Sequence, residues 1–192
     1  MIRFAIAAPL FCMLLSAASQ HVVEGSAESP VRVVIYEDLQ CPDCAEFRRV
    51  LDEKLLPQYQ SKVAFEHRDF PLAKHAWARK AAISSRFIAA TKPDLAVDFR
   101  RYVMAHQADI NADNFNEMLA HYAKQHGIAP DKAIAALDDP ELAKAVQADF
   151  EEGVARGIAH TPTVLVNGTP FVEHFTYEEV AKAIDSELAA NR

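Results

Sequence analysis

The stretch Val31-Arg32-Val33-Val34-Ile35-Tyr36-Glu37-Asp38-Leu39-Gln40-Cys41-Pro42-Asp43-Cys44 decides how the rest of the chain is read. Its first six residues are a nearly continuous apolar run, as expected of a strand buried on both faces. After Cys44 the apolar residues fall at helical spacing, at Phe47, Val50, Leu51 and Leu55. A strand that enters a helix through Cys-x-x-Cys puts the first sulfur at the helix N-terminus. Free backbone N–H groups and the helix dipole there favour a thiolate. Pro42 suits the first helical turn, because its φ is already helical and its missing N–H had no partner to lose. Cys41 is expected to be an exposed nucleophile and Cys44, one turn further in, its resolving partner. The same pair could be half of a zinc site or a structural disulfide. Zinc would call for a second Cys pair or a well-spaced His pair, and neither is present.

Length and composition narrow the choice. The chain has 192 residues, 51% of them hydrophobic, enough for one domain with a substantial core or one domain carrying an insertion. The formal charge of −7, with no run of Lys or Arg, argues against nucleic acid as a partner. Residues 1–18 read as a secretory signal peptide. Arg3 supplies a positive start, Phe4 to Leu15 an apolar run too short to span a bilayer, and Ser16-Ala17-Ala18 a cleavage site near Ala18. Cleavage would remove Cys12 and leave Cys41 and Cys44 as the only cysteines. A tightly spaced pair in an oxidising compartment, in a chain long enough not to need stapling, points to thiol chemistry.

Along the chain, a short edge strand is expected at Val22-Val23 and the Cys helix from Cys41 to Leu56, stopped by Pro57. A second strand is expected over Lys62 to His67. Strand, helix and strand in so short a span form a βαβ unit with parallel strands. From about 72 to 156 the helical period dominates. Helices are expected from Ala73 to about Ala90, from Pro93, from a cap at Asp113 or Asn114 to Gly127, and after Pro130 and Pro140. Asn167-Gly168 between Thr161–Val166 and Thr169–Val172 is a type I′ hairpin signal. Thr176-Tyr177-Glu178-Glu179 is a capping box opening the last helix.

This order resembles a thioredoxin fold, and more closely the DsbA-like exported thiol–disulfide oxidoreductases, in which a helical domain is inserted between the βαβ and ββα halves. The resemblance covers about 25 to 192, giving an α/β domain over 19–192 with its helical insert at about 72–156. It rests on Asp38 to Cys44, on Arg68-Asp69-Phe70-Pro71-Leu72 and on Gly157-Ile158-Ala159-His160-Thr161-Pro162-Thr163. The resemblance implies a cis-proline loop at Thr161-Pro162 facing Cys41 and Cys44, with Pro42 and Asp43 tuning the pair. By analogy it also places His160 near the active site. It implies exchange with protein or peptide thiols and disulfides, recycling by a redox partner, no cofactor or metal, and a periplasmic or secreted monomer. Two positions depart from the family pattern. Ile35 stands where many relatives have a buried acid, with Glu37 two residues on and expected to be solvated. The dipeptide is Pro-Asp where strongly oxidising members have Pro-His. A reductase or isomerase of the same fold, or a soft-metal (copper) chaperone using the two thiolates, are the alternatives. Six further histidines, His67, His75, His106, His121, His126 and His174, are expected at the surface or its boundary, without a shared ligand role.

Overall fold

A computed structural model describes residues 21–191; the expected signal peptide lies outside them. Strands β1 (Val22–Gly25), β2 (Arg32–Glu37), β3 (Ala64–Asp69), β4 (Thr163–Val166) and β5 (Thr169–Val172) form one sheet in the order β1-β3-β2-β4-β5. Only β2 and β3 run parallel, as the βαβ reading requires, with Ile35 beside His67 and Glu37 beside Asp69. Because strand side chains alternate faces, Val33, Ile35 and Glu37 share one face with Phe65, His67 and Asp69.

That face is apolar at one end. Val33, Phe65, Val164 and Val166 pack there against Phe47 and Leu51 of the Cys helix and against Val180 and Ile184 of the last helix, α8 (Tyr177–Ala190). Each such side chain contributes about 1.5–3 kcal/mol by leaving water. The opposite face holds Tyr36, Phe70 and Leu165. Gly153 lies so close there that a Cβ would come within 2.6 Å of the Phe70 ring, so only glycine fits.

The Cys helix is longer than its sequence suggests. It runs as α1 (Pro42–Val50), widens into a π-helical segment at Leu51–Leu55, and continues as α2 (Leu56–Tyr59) straight through Pro57. Within the wide turn the Leu56 amide donates to the Leu51 carbonyl, five residues back. That spacing moves the ladder away from the carbonyl a proline ring would strike in a regular helix. Pro57 is accommodated, and the helix ends two residues later.

Between β3 and β4 lie α3 (Ala78–Thr91), α4 (Ala96–Ala105), α5 (Phe115–Gln125), α6 (Pro130–Ala135) and α7 (Pro140–Ala155). The first of these starts five residues later than expected, at Ala78. Upstream donors are taken by the Cys loop: the Leu72 amide and His75 Nδ1 by the Asp38 carboxylate, and the Trp77 amide by Gln40 Oε1. Helix α5 is preceded not by a capping Asp113 or Asn114 side chain but by Asn111, whose Oδ1 accepts the amides of both those residues. The expected capping box at Thr176 is complete, and α7 is capped by Asp139, whose Oδ1 accepts the Glu141 and Leu142 amides. Asn167 and Gly168 have φ of 44° and 94°, the two positive values a type I′ hairpin needs. Pro170 sits on β5, an edge strand. Among the described residues no helix is long and apolar enough to cross a membrane.

Candidate active site

Cys41 is the N-cap of α1, in extended conformation, with Pro42 opening the helix. Its sulfur lies 3.4 Å from the carbonyl oxygen of Thr161, which is 120 residues away in sequence. The peptide bond between Thr161 and Pro162 is cis. Both cysteines are free thiols, and both pack against the core of the intervening helices, with Leu39, Trp77 and Phe115 in the same cluster. Cys41 is less open than an exposed nucleophile was expected to be: it keeps 5% of its surface, and Cys44 none. The covering comes from that helical layer and the Thr161 loop, neither of which is visible from the local sequence.

The two sulfurs are polarised in opposite directions. A hydrogen bond from the Cys44 thiol holds the Cys41 pKa down to about 6; burial works against this, and the Asp43 and Cys44 amides add to it. The Thr161 hydroxyl is buried without a hydrogen-bond partner, and the contact of Thr161 with Cys41 is through its carbonyl. Cys44 is pushed well above its ordinary value, first by burial and then by the neighbouring Cys41. Its sulfur accepts the Asp38 amide at 3.4 Å. One sulfur is thus built to carry charge at neutral pH and the other to keep its proton.

The loop holding them is fixed from several sides. Gln107, just beyond α4, donates from Nε2 to the carbonyls of Leu39 (2.8 Å) and Cys41 (3.0 Å). Asp38 is buried, its carboxylate accepting the amides of Gln40 and Leu72 and pairing with His75 at 2.7 Å. Asp43 is exposed on the first turn. His160 is also exposed, and its ring pairs with Glu173 at 3.1 Å.

Below the loop, Glu37 is not solvated as expected: it is 3% exposed. Arg100 from α4 donates to it at 2.9 Å and His67 meets it at 2.7 Å. His67, expected near the surface, is 2% exposed and bridges Glu37 to Glu24, 2.9 Å from its other nitrogen. Burial alone would raise both carboxyls, but the charges of His67 and Arg100 hold Glu37 at about 2. Hydrogen bonds from His67 and Arg48 do the same for Glu24. The two carboxylates in turn raise the His67 pKa against the effect of its own burial. Arg100 also reaches Asp69 at 3.0 Å, and Asp69 accepts from Arg86, which continues to Asp149. Ile35, at the family's acid position, is fully buried in the apolar cluster.

A family model described as thioredoxin matches residues 17–186, nearly the whole chain. The chain belongs to the thioredoxin family. Its DsbA-like branch shows in the solved structures it resembles. Oxidised BdbD from Bacillus subtilis superposes with a TM-score of 0.79 at 26% identity, covering 88% of this chain and 93% of the other. The fold of alpha-DsbA1 from Wolbachia pipientis matches with a TM-score of 0.77 at 19% identity, covering 88% and 92%. In sequence, the chain is 27% identical to disulfide bond formation protein D of Bacillus subtilis over 169 residues, 86% of this chain and 76% of that one. It spans only 25% of the length of the Na(+)/H(+) antiporter relatives that it also matches.

In this DsbA-like chain the sequence reading expected Cys41, Pro42, Asp43 and Cys44 at the site and, by resemblance, Thr161 and Pro162, and the fold brings Cys41 and Thr161 into contact. It missed Gln107, Asp38 and the Glu37–Arg100–His67 cluster. Nothing in a local window marks these, because each acts through a partner from a distant segment.

Proposed function

We propose that the chain is an exported thiol–disulfide oxidoreductase that oxidises protein or peptide thiols through Cys41 and Cys44. The observation that carries this reading is the opposed polarisation of the two sulfurs, Cys41 at about 6 and Cys44 well above its ordinary value. A substrate thiolate attacks Cys41 Sγ of the Cys41–Cys44 disulfide. The S–S bond breaks, and its electron pair leaves on Cys44, which takes up a proton. A second substrate thiolate then attacks the substrate sulfur of the mixed disulfide and releases Cys41 as thiolate. The substrate loses two electrons and the cysteine pair gains them, to be passed to a redox partner. Stabilising the Cys41 thiolate makes it the better leaving group and favours the reduced pair, which drives oxidation of the substrate. The Thr161 carbonyl beside Cys41 supports a role in aligning an extended substrate backbone. Export is supported by Arg3, the apolar run after it and Ser16-Ala17-Ala18, and N-terminal sequencing of secreted protein would check it.

The test follows the assigned roles. Limited alkylation of the reduced protein is expected to modify Cys41 before Cys44, with its rate titrating near 6. In Cys44→Ser the Cys41 thiolate is expected to attack a peptide disulfide, release the other peptide half as thiolate and accumulate as the mixed disulfide, and Cys41→Ser is expected to form none. Alkylation of Cys44 first, or a mixed disulfide that survives Cys41→Ser, overturns the assignment.

A further inference from the structure

Beside the Thr161-Pro162 loop runs a shallow groove of about 170 Å³, room for one side chain of a bound peptide. Its apolar side is the edge-to-face pair Phe47–Phe175, with ring centroids 5.3 Å apart, together with Val50. Three carboxylates line it: Asp43 and Glu46, exposed one turn apart on α1, and Glu173 from the segment after β5. None of its lining residues is Lys or Arg. Glu173 is held there in a conformation unfavourable for a residue with a Cβ, at a φ of 50°. Its amide donates to the Pro162 carbonyl at 3.0 Å, and its carboxylate pairs with His160. The backbone therefore fixes one carboxylate against the loop that meets Cys41, while the helix presents the other two across from it.

We propose that this groove selects substrate thiols flanked by lysine or arginine. The cationic head group would lie among Asp43, Glu46 and Glu173, and its alkyl stem along Phe47 and Phe175, as long basic side chains do on apolar surface. The inference rests on the oxidoreductase reading and names its substrate class. Exposed ion pairs are individually weak, so each carboxylate contributes a factor of about two, and the three together about eightfold in affinity. Such a preference is screened by salt.

Peptide binding separates this selectivity from the redox chemistry. Two peptides differ only in carrying Lys or Gln on either side of a Ser that replaces the reactive Cys, and their Kd values for the wild-type protein are compared at low and high ionic strength. The Lys peptide is expected to bind about eightfold more tightly at low salt, falling towards about twofold at 0.5 M salt. Glu46→Gln with Glu173→Gln is expected to remove most of that preference, and Glu46→Lys, a surface change on α1 that does not touch the loop, to cut it strongly. Asp131→Asn, which removes a charge outside the groove, is expected to leave it in place. Equal Kd values for the two peptides, or a preference undiminished by Glu46→Lys, overturn the proposal. Exchange is then measured with the Cys-containing peptides. Lys-selective binding without exchange with any thiol would sink the oxidoreductase reading and leave the groove's selectivity standing.

Discussion

One face of the sheet carries two kinds of interior, and they meet within a single strand. At Val33 and Ile35 the face packs on Phe47, Leu51, Val164 and Val180, side chains that need only be apolar and of fitting shape. Two residues further along β2, at Glu37, the same face becomes a lattice of buried charges, His67, Arg100, Asp69 and Arg86, in which each contact depends on direction and distance. The apolar end tolerates rearrangement; the charged end does not, because a buried ion left unpaired has no water to turn to. The charged end is also the one from which the Asp38–Cys41 loop springs. An ion-paired support under that loop keeps the sulfurs in register with Thr161.

The sharpest way to break this contrast is Arg100→Leu. It removes the shared partner of Glu37 and Asp69 and is expected to cost about 3–5 kcal/mol, seen as a lower urea midpoint with unchanged slope. A loss under about 1 kcal/mol would show that the lattice relaxes as easily as the apolar end does.

Acid is expected to have the next largest effect, again confined to the charged end. Glu24 and Glu37 sit at about 2 in the folded protein, below their ordinary 4.5. Their contribution is therefore complete above 4.5 and lost as pH falls towards 2, by up to roughly 3 kcal/mol for each. His67 works in the other sense: its pKa is raised, so its contribution is present below 6.5 and fades as pH rises through the folded value. Stability measured against pH should peak between those limits. Glu37→Gln should flatten the acid limb; an unchanged limb would assign it to other carboxylates.

An exposed carboxylate should weigh less than a buried one. Asp43→His replaces a negative charge near Cys41 with a group that can donate to it. The variant is expected to lower the Cys41 pKa further and raise the reduction potential by roughly 20–45 mV, about 1–2 kcal/mol, limited by solvent screening. Equilibration of both proteins with glutathione buffers measures it, and an unchanged or lower potential would move control from the dipeptide to the Thr161 loop. The smallest effect belongs to the apolar end. Ile35→Val is expected to cost about 1 kcal/mol with no dependence on pH between 4 and 7, and a pH-dependent loss would mean that the two interiors are coupled.

The parts of the fold governed by local rules could be read directly. Alternation and apolar runs gave β2 and β3, Asn167-Gly168 the hairpin, Thr176 and Glu179 the cap of α8, and Cys41-Pro42 the helix start. What escaped depends on meetings between distant segments. Glu37 looks like a strand-end residue bound for solvent until Arg100, 63 residues on, is folded over it. His67 is one of many unremarkable histidines until Glu24 and Glu37 close on its two nitrogens. Gln107 carries no signal at all, since an amide side chain that bridges two loop carbonyls looks like any polar residue following a helix. Ala73 to Trp77 shows the same effect on backbone structure: their spacing is helical, but Gln40 of the Cys loop takes the Trp77 amide and Asp38 holds Leu72 and His75, and the helix begins at Ala78.

The widened turn at Leu51–Leu55 bears on the far end of the molecule as well as on Pro57. Each residue of a regular helix turns the chain by about 100°, so taking up one extra residue in a single coil resets the azimuth of everything after it. Tyr59 is among the residues so aimed, and its hydroxyl donates to Asp185 on α8 at 3.0 Å. The helix that begins by orienting a sulfur thus ends by docking the C-terminal helix, and the one coil of different pitch between them lets a single rod point correctly at both.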